Sequence, residues 1–256
     1  MYVLAEESSE YNTEIKVVET TQLYGKLGKF RCLQFADDAI QGAIDLKDPK
    51  RIVLDYQKAV IQLMALIEPL FDQVFIIGHG IGTISSHHPD KRVKVAEIDA
   101  KVVELSRRLF DYQLDNVAVG DGREMLNNEH SDCYDYIVLD AFTPKGTPFH
   151  FTTLPFLQMT SGKLNARGTL LMNVFGKPKN DRLINAIFST LREAYPYTKG
   201  YTLPAKNDSE IRNMILLGSK QPIKLSEGTV PGLMEIELEE GHLLMDSDSK
   251  FLERFD

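Results

Sequence analysis

Three acids stand at the ends of three successive apolar runs, and their spacing is the first chemistry this chain offers. Val93 to Ala96 ends on Glu97, Val117 to Val119 on Gly120-Asp121-Gly122, and Tyr136 to Leu139 on Asp140. Ahead of them Val74 to Ile77 runs into a turn with Gly78, Gly80 and Gly82 on alternate positions. Apolar runs of this length read as strands buried on both faces of a parallel sheet. Glycine lets the backbone turn sharply and come close to a ligand. An acid at a strand tip can accept hydrogen bonds from the two hydroxyls of a ribose. Acids placed serially along the carboxyl edge of an open α/β sheet suit an adenosine-type cofactor, with Glu97 for the ribose, Asp121 for the adenine amino group and Asp140 near the reacting end. A plain strand-to-helix turn would account for the glycines alone, but not for the repeated acids. A dinucleotide fingerprint requires a third glycine at position 83, where this chain has Thr83.

The elements that must position these residues follow from periodicity. Ile15 to Glu19, Phe30 to Phe35 and Ala39 to Asp45 carry strand-forming residues, with Gly25 and Gly28 as turn signals, and predict a small antiparallel cap. From Asp55 the period becomes helical (Ala59, Val60, Leu63, Met64, Ile67) until Pro69. Tyr56-Gln57 then projects from the start of that helix. Asp99 is a fair N-cap for a helix to Phe110. Residues 141–153 contain Pro144, Gly146 and Pro148, so they predict a loop, and its start at the ligand edge makes it a candidate lid. Helices over 154–164 and 181–195, a strand from Gly168 through Asn173, and an antiparallel pair near 197–203 and 212–218 complete the pattern. The expected organisation is a β-strand domain at 1–55, an α/β domain at 56–220 that binds the adenosine-type cofactor, and an acidic extension at 221–256 with no assigned role.

With 256 residues and 43% hydrophobic content, the chain can bury one large core and still carry a small extra domain. A net charge of −8 without a basic stripe argues against wrapping nucleic acid and favours a cationic ligand. Cys32 and Cys133 stand singly, which excludes a disulfide framework and a zinc ribbon. The N-terminus is acidic where a secretory signal is basic and then apolar, and no apolar run approaches bilayer-spanning length. The expectation is a soluble cytoplasmic protein with no membrane or nucleic-acid partner. His87 and His88 are adjacent, so their side chains diverge, and no metal site is expected.

Taken together, Tyr56-Gln57, IIGHGIG, VAEIDAKVVELSRRLF, VGDGREML and YDYIVLDAFTP resemble the spermidine synthase (polyamine aminopropyltransferase) family. The resemblance implies a Rossmann-like, class I methyltransferase-type seven-stranded sheet preceded by a small N-terminal antiparallel β-domain. It implies transfer of an aminopropyl group from decarboxylated S-adenosylmethionine to a small cationic amine, without a metal, in a homodimer. Carried over by position, Glu97 is similar to the ribose ligand and Asp121-Gly122 to the adenine contact. Gln57 and Asn12, with Gly78 and Gly80 of the loop, match cofactor-binding positions. Tyr56 matches the amine-acceptor site, and Asp140 the proton acceptor.

Three departures accompany the matches, one being a later family tyrosine without a counterpart around Ala205 and Lys206. The family's glycine loop usually holds an acid that pairs with the donor's amino group, and Ile81 occupies that position here. Its lid usually begins with two acids flanking two hydroxyl residues, whereas here it reads Asp140-Ala141-Phe142-Thr143. His150 in the lid could stand in for the missing acid, and His79 lies within the turn. Two other functions fit the same residues: an S-adenosylmethionine-dependent methyltransferase, which Ile81 favours, and a catalytically idle member that binds nucleoside or polyamine.

Overall fold

The computed structural model describes residues 1–36, 39–143, 146–205, 207, 209–226 and 228–248. Its N-terminal part is a four-stranded antiparallel sheet in sequential order: β1 (Tyr2–Glu7), β2 (Ile15–Leu23), β3 (Lys26–Phe35) and β4 (Ile40–Asp45). The β2–β3 hairpin turns at Tyr24-Gly25, both with positive φ, while Gly28 lies inside β3. The turn signal was therefore Gly25 alone. Gly28 is there because a side chain would run into the Phe30 ring. Strand β1 had no signal in the sequence, since an exposed edge strand has no buried face to impose a pattern.

The second sheet has the order β12-β10-β11-β9-β8-β5-β6-β7. Helix α1 (Asp55–Ile67) leads into β5 (Gln73–Ile77), the short α2 (Thr83–Ser86), β6 (Arg92–Glu97), α3 (Ala100–Leu109), β7 (Val117–Val119), α4 (Gly122–Asn127) and β8 (Tyr134–Leu139). Helix α5 (Leu154–Lys163), β9 (Leu164–Gly176), α6 (Arg182–Ala194), β10 (Tyr197–Thr202), β11 (Arg212–Ser219) and β12 (Met234–Ile236) follow. Strands β5 to β9 pair in parallel, and β9, β11, β10 and β12 pair antiparallel. The seven expected strands are present, and the acidic tail adds an eighth at the β10 edge. Strand β9 begins at Leu164 rather than Gly168. Among its described residues, the loop over 141–153 contains one 3₁₀ turn, Phe149–Phe151.

The parallel strands read as unbroken apolar runs because both of their faces are covered. One face packs Phe75, Ile77, Ile137 and Leu139 against α5 and α6 residues such as Leu157 and Ile187. The other packs Val74, Ile76, Tyr136 and Val138 against Ala59, Val60, Leu63 and Met64 of α1. A third cluster, holding Ile15, Val17 and Leu33 against Val102, Leu105 and Phe110, joins the N-terminal sheet to α3. Among the described residues no helix is long and apolar enough to cross a membrane.

Candidate active site

Neighbouring strand ends are stitched together at the carboxyl edge of the parallel sheet. Asp140 N donates to Ile77 O, Gly78 N to Ala96 O, and Gly120 N to Glu97 O, each at 2.8 Å. These bonds set Glu97, Asp121 and Asp140 along one rim, where they line a cleft of about 220 Å³ roofed by the N-terminal sheet and the lid. Asn12, Tyr56, Gly78, Gly80 and Gly122 line it too. Gln57 does not, and faces a smaller cavity beside Gly78 and Asp140.

Gly78 follows β5 where its backbone runs against Asp140 at the end of the paired strand β8. Its φ is +96°, and a Cβ there would stand 2.1 Å from the Asp140 carbonyl oxygen. Gly78→Ala should therefore lower stability by about 1–3 kcal/mol from the backbone conformation alone, before any clash is added. A urea midpoint equal to wild type would show that this close approach is looser than described.

Glu97 is nearly buried, and each carboxylate oxygen accepts one backbone N–H: Oε2 from His79 at 2.8 Å and Oε1 from Asp99 at 3.0 Å. Burial raises its pKa and the two backbone bonds oppose that rise. The remaining lone pairs are free for hydroxyl donors. Asp121 caps α4, its Oδ1 accepting from Arg123 N and Glu124 N, while Oδ2 lies 3.4 Å from His150 Nε2. His150 thus faces the Asp121 end of the cleft, and burial lowers its pKa against the pull of that carboxylate. Asn12 gives its side-chain amide to Asp99, which Ser9 also contacts, tying the N-terminal sheet to the start of α3.

At the other end, Asp140 Oδ1 accepts from Asn173 Nδ2 at 2.8 Å, and Oδ2 from Tyr56 OH at 3.3 Å. Asn173 in turn accepts from Asn213 Nδ2 at 2.9 Å, so a polar relay across β8, β9 and β11 orients the carboxylate. Burial pushes the Asp140 pKa up to about 6, with the Asn173 and Tyr56 bonds opposing. Tyr56, itself desolvated and next to this acid, has its pKa raised well above the usual phenol value and stays protonated. Sequence reasoning missed Asn173 and Asn213. The available signal was one amide inside the otherwise apolar run LLMNVF, because a fully buried polar side chain must find a partner.

Ile81 lies in the glycine turn, but its side chain is turned away from the cleft. Its side chain is buried in the cluster between the N-terminal sheet and α3, does not line the cleft, and presses on Gly42. In the lid, Phe142 packs against Phe175, and Thr143 N and Gly146 N each donate to the other's carbonyl at 2.9 Å. Pro144 lies outside the described residues. The tail also reaches this region. Asp246 takes a two-pronged pair from Arg123 and a bond from Thr153, while Arg123 holds the His150 carbonyl. The extension is thus fastened to the far end of the lid.

Among the described lining residues there are three carboxylates and no lysine or arginine. Such a wall attracts cations and offers a ligand carboxylate no lysine or arginine to pair with.

The spermine/spermidine synthase domain model matches residues 54–222. A polyamine aminopropyltransferase of Vibrio vulnificus is 27% identical, over 86% of this chain and 83% of the relative. Among solved structures, a probable spermidine synthase from Corynebacterium glutamicum superposes with a TM-score of 0.75 at 18% identity, covering 93% of this chain and 92% of the other. Human methyltransferase-like protein 13, solved with SAH, gives 0.57 at 21% identity over 69% of this chain and 87% of its own. These two likenesses concern the fold, which synthases and methyltransferases share.

Proposed function

Since the chain belongs to the spermine/spermidine synthase family, we propose that it is a transferase moving an aminopropyl group from decarboxylated S-adenosylmethionine to a small amine. The observation that carries this reading is the cleft's three carboxylates with no lysine or arginine among its described lining residues, Asp140 standing at the reacting end. The donor is a cation without a carboxylate, so it suits three acids with no lysine or arginine. Intact S-adenosylmethionine would bring a carboxylate against them, which disfavours the methyltransferase reading.

In this reading Glu97 holds the ribose hydroxyls, Asp121 and Gly122 the adenine, and Gln57 and Asn12 the aminopropyl end. Tyr56 and Asp140 receive the acceptor. The acceptor amine, with a pKa near ~10, arrives protonated. Asp140 holds the ammonium and takes its proton as the nitrogen's lone pair forms the new C–N bond. The C–S bond breaks with its electrons going to sulfur, and neutral 5′-methylthioadenosine leaves. Burial makes Asp140 a stronger base than an exposed aspartate, which serves this step. The same reading gives a cytoplasmic homodimer whose partner is a small amine.

Incubation with the decarboxylated donor and a panel of di- and polyamines should release 5′-methylthioadenosine only when an amine is added. Release without amine dependence, or none with any amine, would count against this function.

A further inference from the structure

The glycine turn contains a histidine whose state is set by its surroundings. His79 is 8% exposed, and its ring sits edge-on to Tyr112 at 4.6 Å. Its Nε2 lies 2.8 Å from Ser106 Oγ, and that hydroxyl spends its own proton on Val103 O. Ser106 can therefore only accept from the ring, which places the proton on Nε2 and leaves Nδ1 a lone pair. Nδ1 is buried and has no hydrogen-bond partner among the described residues. Burial, aided by the charge of Arg107, lowers the His79 pKa to about 4, so the ring stays neutral at physiological pH.

A second unpartnered acceptor lines the same space. Gln57 is 3% exposed, and its Nε2 donates to Tyr56 OH at 3.2 Å, which orients the amide. Its Oε1 is buried and unpartnered among the described residues. Gln57, His79, Gly78 and Asp140 together line the side cavity of about 10 Å³. That is room for one water or one ammonium head. Buried acceptors without donors are rare, and a primary ammonium brings three N–H groups. Meanwhile Ile81, at the position expected to anchor the donor's amine, is committed to the apolar core.

We propose that His79 Nδ1 and Gln57 Oε1 form the acceptor pair that holds the donor's primary ammonium in the side cavity beside Asp140, making His79 a specificity-determining residue. The inference rests on the aminopropyl-donor reading of the cleft. It accounts for donor selection without a loop acid, through two neutral acceptors and the neighbouring carboxylate.

The test is calorimetric titration of the wild type, His79→Leu and His79→Asn with decarboxylated S-adenosylmethionine and with 5′-methylthioadenosine, which shares the nucleoside but lacks the amine. His79→Leu should weaken the donor about 10- to 100-fold and leave methylthioadenosine unchanged. His79→Asn should recover most of the loss, since its amide oxygen can replace Nδ1. A parallel loss for both ligands would reduce His79 to a structural role in the loop, and an unchanged donor affinity would leave a bound water as the cavity's occupant. Either result overturns the proposal. If the leucine variant does not fold, ¹⁵N-histidine spectra of the wild type decide. The Nδ1 resonance should move on adding the donor and not on adding methylthioadenosine, and equal movement with both overturns the proposal. A wild type that binds neither ligand would remove the cleft's function and this inference with it. A wild type that binds both, with His79→Leu keeping its preference, would remove this inference alone.

Discussion

Asp140→Asn lowers turnover by about 10²–10⁴-fold and, at neutral pH, stabilises the ligand-free protein. Both effects come from one cause. Burial holds the Asp140 carboxyl at about 6, above its usual 3.8. The folded protein therefore binds this proton more tightly than the unfolded chain does. The stability it contributes is full below the unfolded value and is lost as pH rises through about 6. At pH 7 the ionised carboxylate thus costs on the order of 1–3 kcal/mol. Asparagine is isosteric, still accepts from Asn173, and carries no charge to desolvate. Thermal melts should show the variant gaining stability over wild type above pH 6, with the gap closing at more acid pH. Wild-type turnover should fall as pH drops through about 6, where the base becomes protonated. Wild-type turnover in the variant would leave Asp140 a structural role, and an unchanged melting temperature would remove the desolvation argument.

Glu97→Gln should weaken every adenosyl ligand by about 1–3 kcal/mol, roughly 5- to 150-fold in Kd. Decarboxylated S-adenosylmethionine and methylthioadenosine should lose affinity equally, because both present the same ribose. This uniform loss separates Glu97 from His79, whose substitution should affect only the amine-bearing ligand. The glutamine oxygen can accept only one of the two backbone N–H groups that Glu97 now satisfies, and its NH2 faces the other, so the variant should also lose about 1–3 kcal/mol of stability. Calorimetry showing wild-type affinity for both ligands would remove the ribose assignment.

The parallel half of the fold was legible because its strands are buried on both faces. Val74 to Ile77 and Tyr136 to Leu139 have no polar face to interrupt the run, and Gly78 and Asp140 mark where each strand ends. Helix α1 announced itself through Ala59, Val60, Leu63 and Met64, all of which are buried. Strands β1 and β12 were not legible, since edge strands with largely exposed side chains carry little pattern. The direction of the Ile81 side chain was not legible for a related reason. Position within a motif shows which loop a residue belongs to, but its direction depends on what packs against the loop. Here the N-terminal sheet, with Gly42 pressed on Ile81, supplies an apolar wall. His79 was visible in the sequence only as a histidine in a glycine turn. Its role rests on Ser106, 27 residues away, and on Gln57 from a different helix, and no local pattern encodes either contact.

The central claim is that the cleft selects a sulfonium donor lacking a carboxylate. Calorimetric titration of the wild type with decarboxylated and intact S-adenosylmethionine, under one buffer and ionic strength, tests it most directly. The decarboxylated donor should bind at least about tenfold more tightly, a difference of ~1.4 kcal/mol, because the described walls carry three acids and no lysine or arginine. Intact S-adenosylmethionine binding as tightly or more tightly would contradict the account and turn the same fold into a methyltransferase.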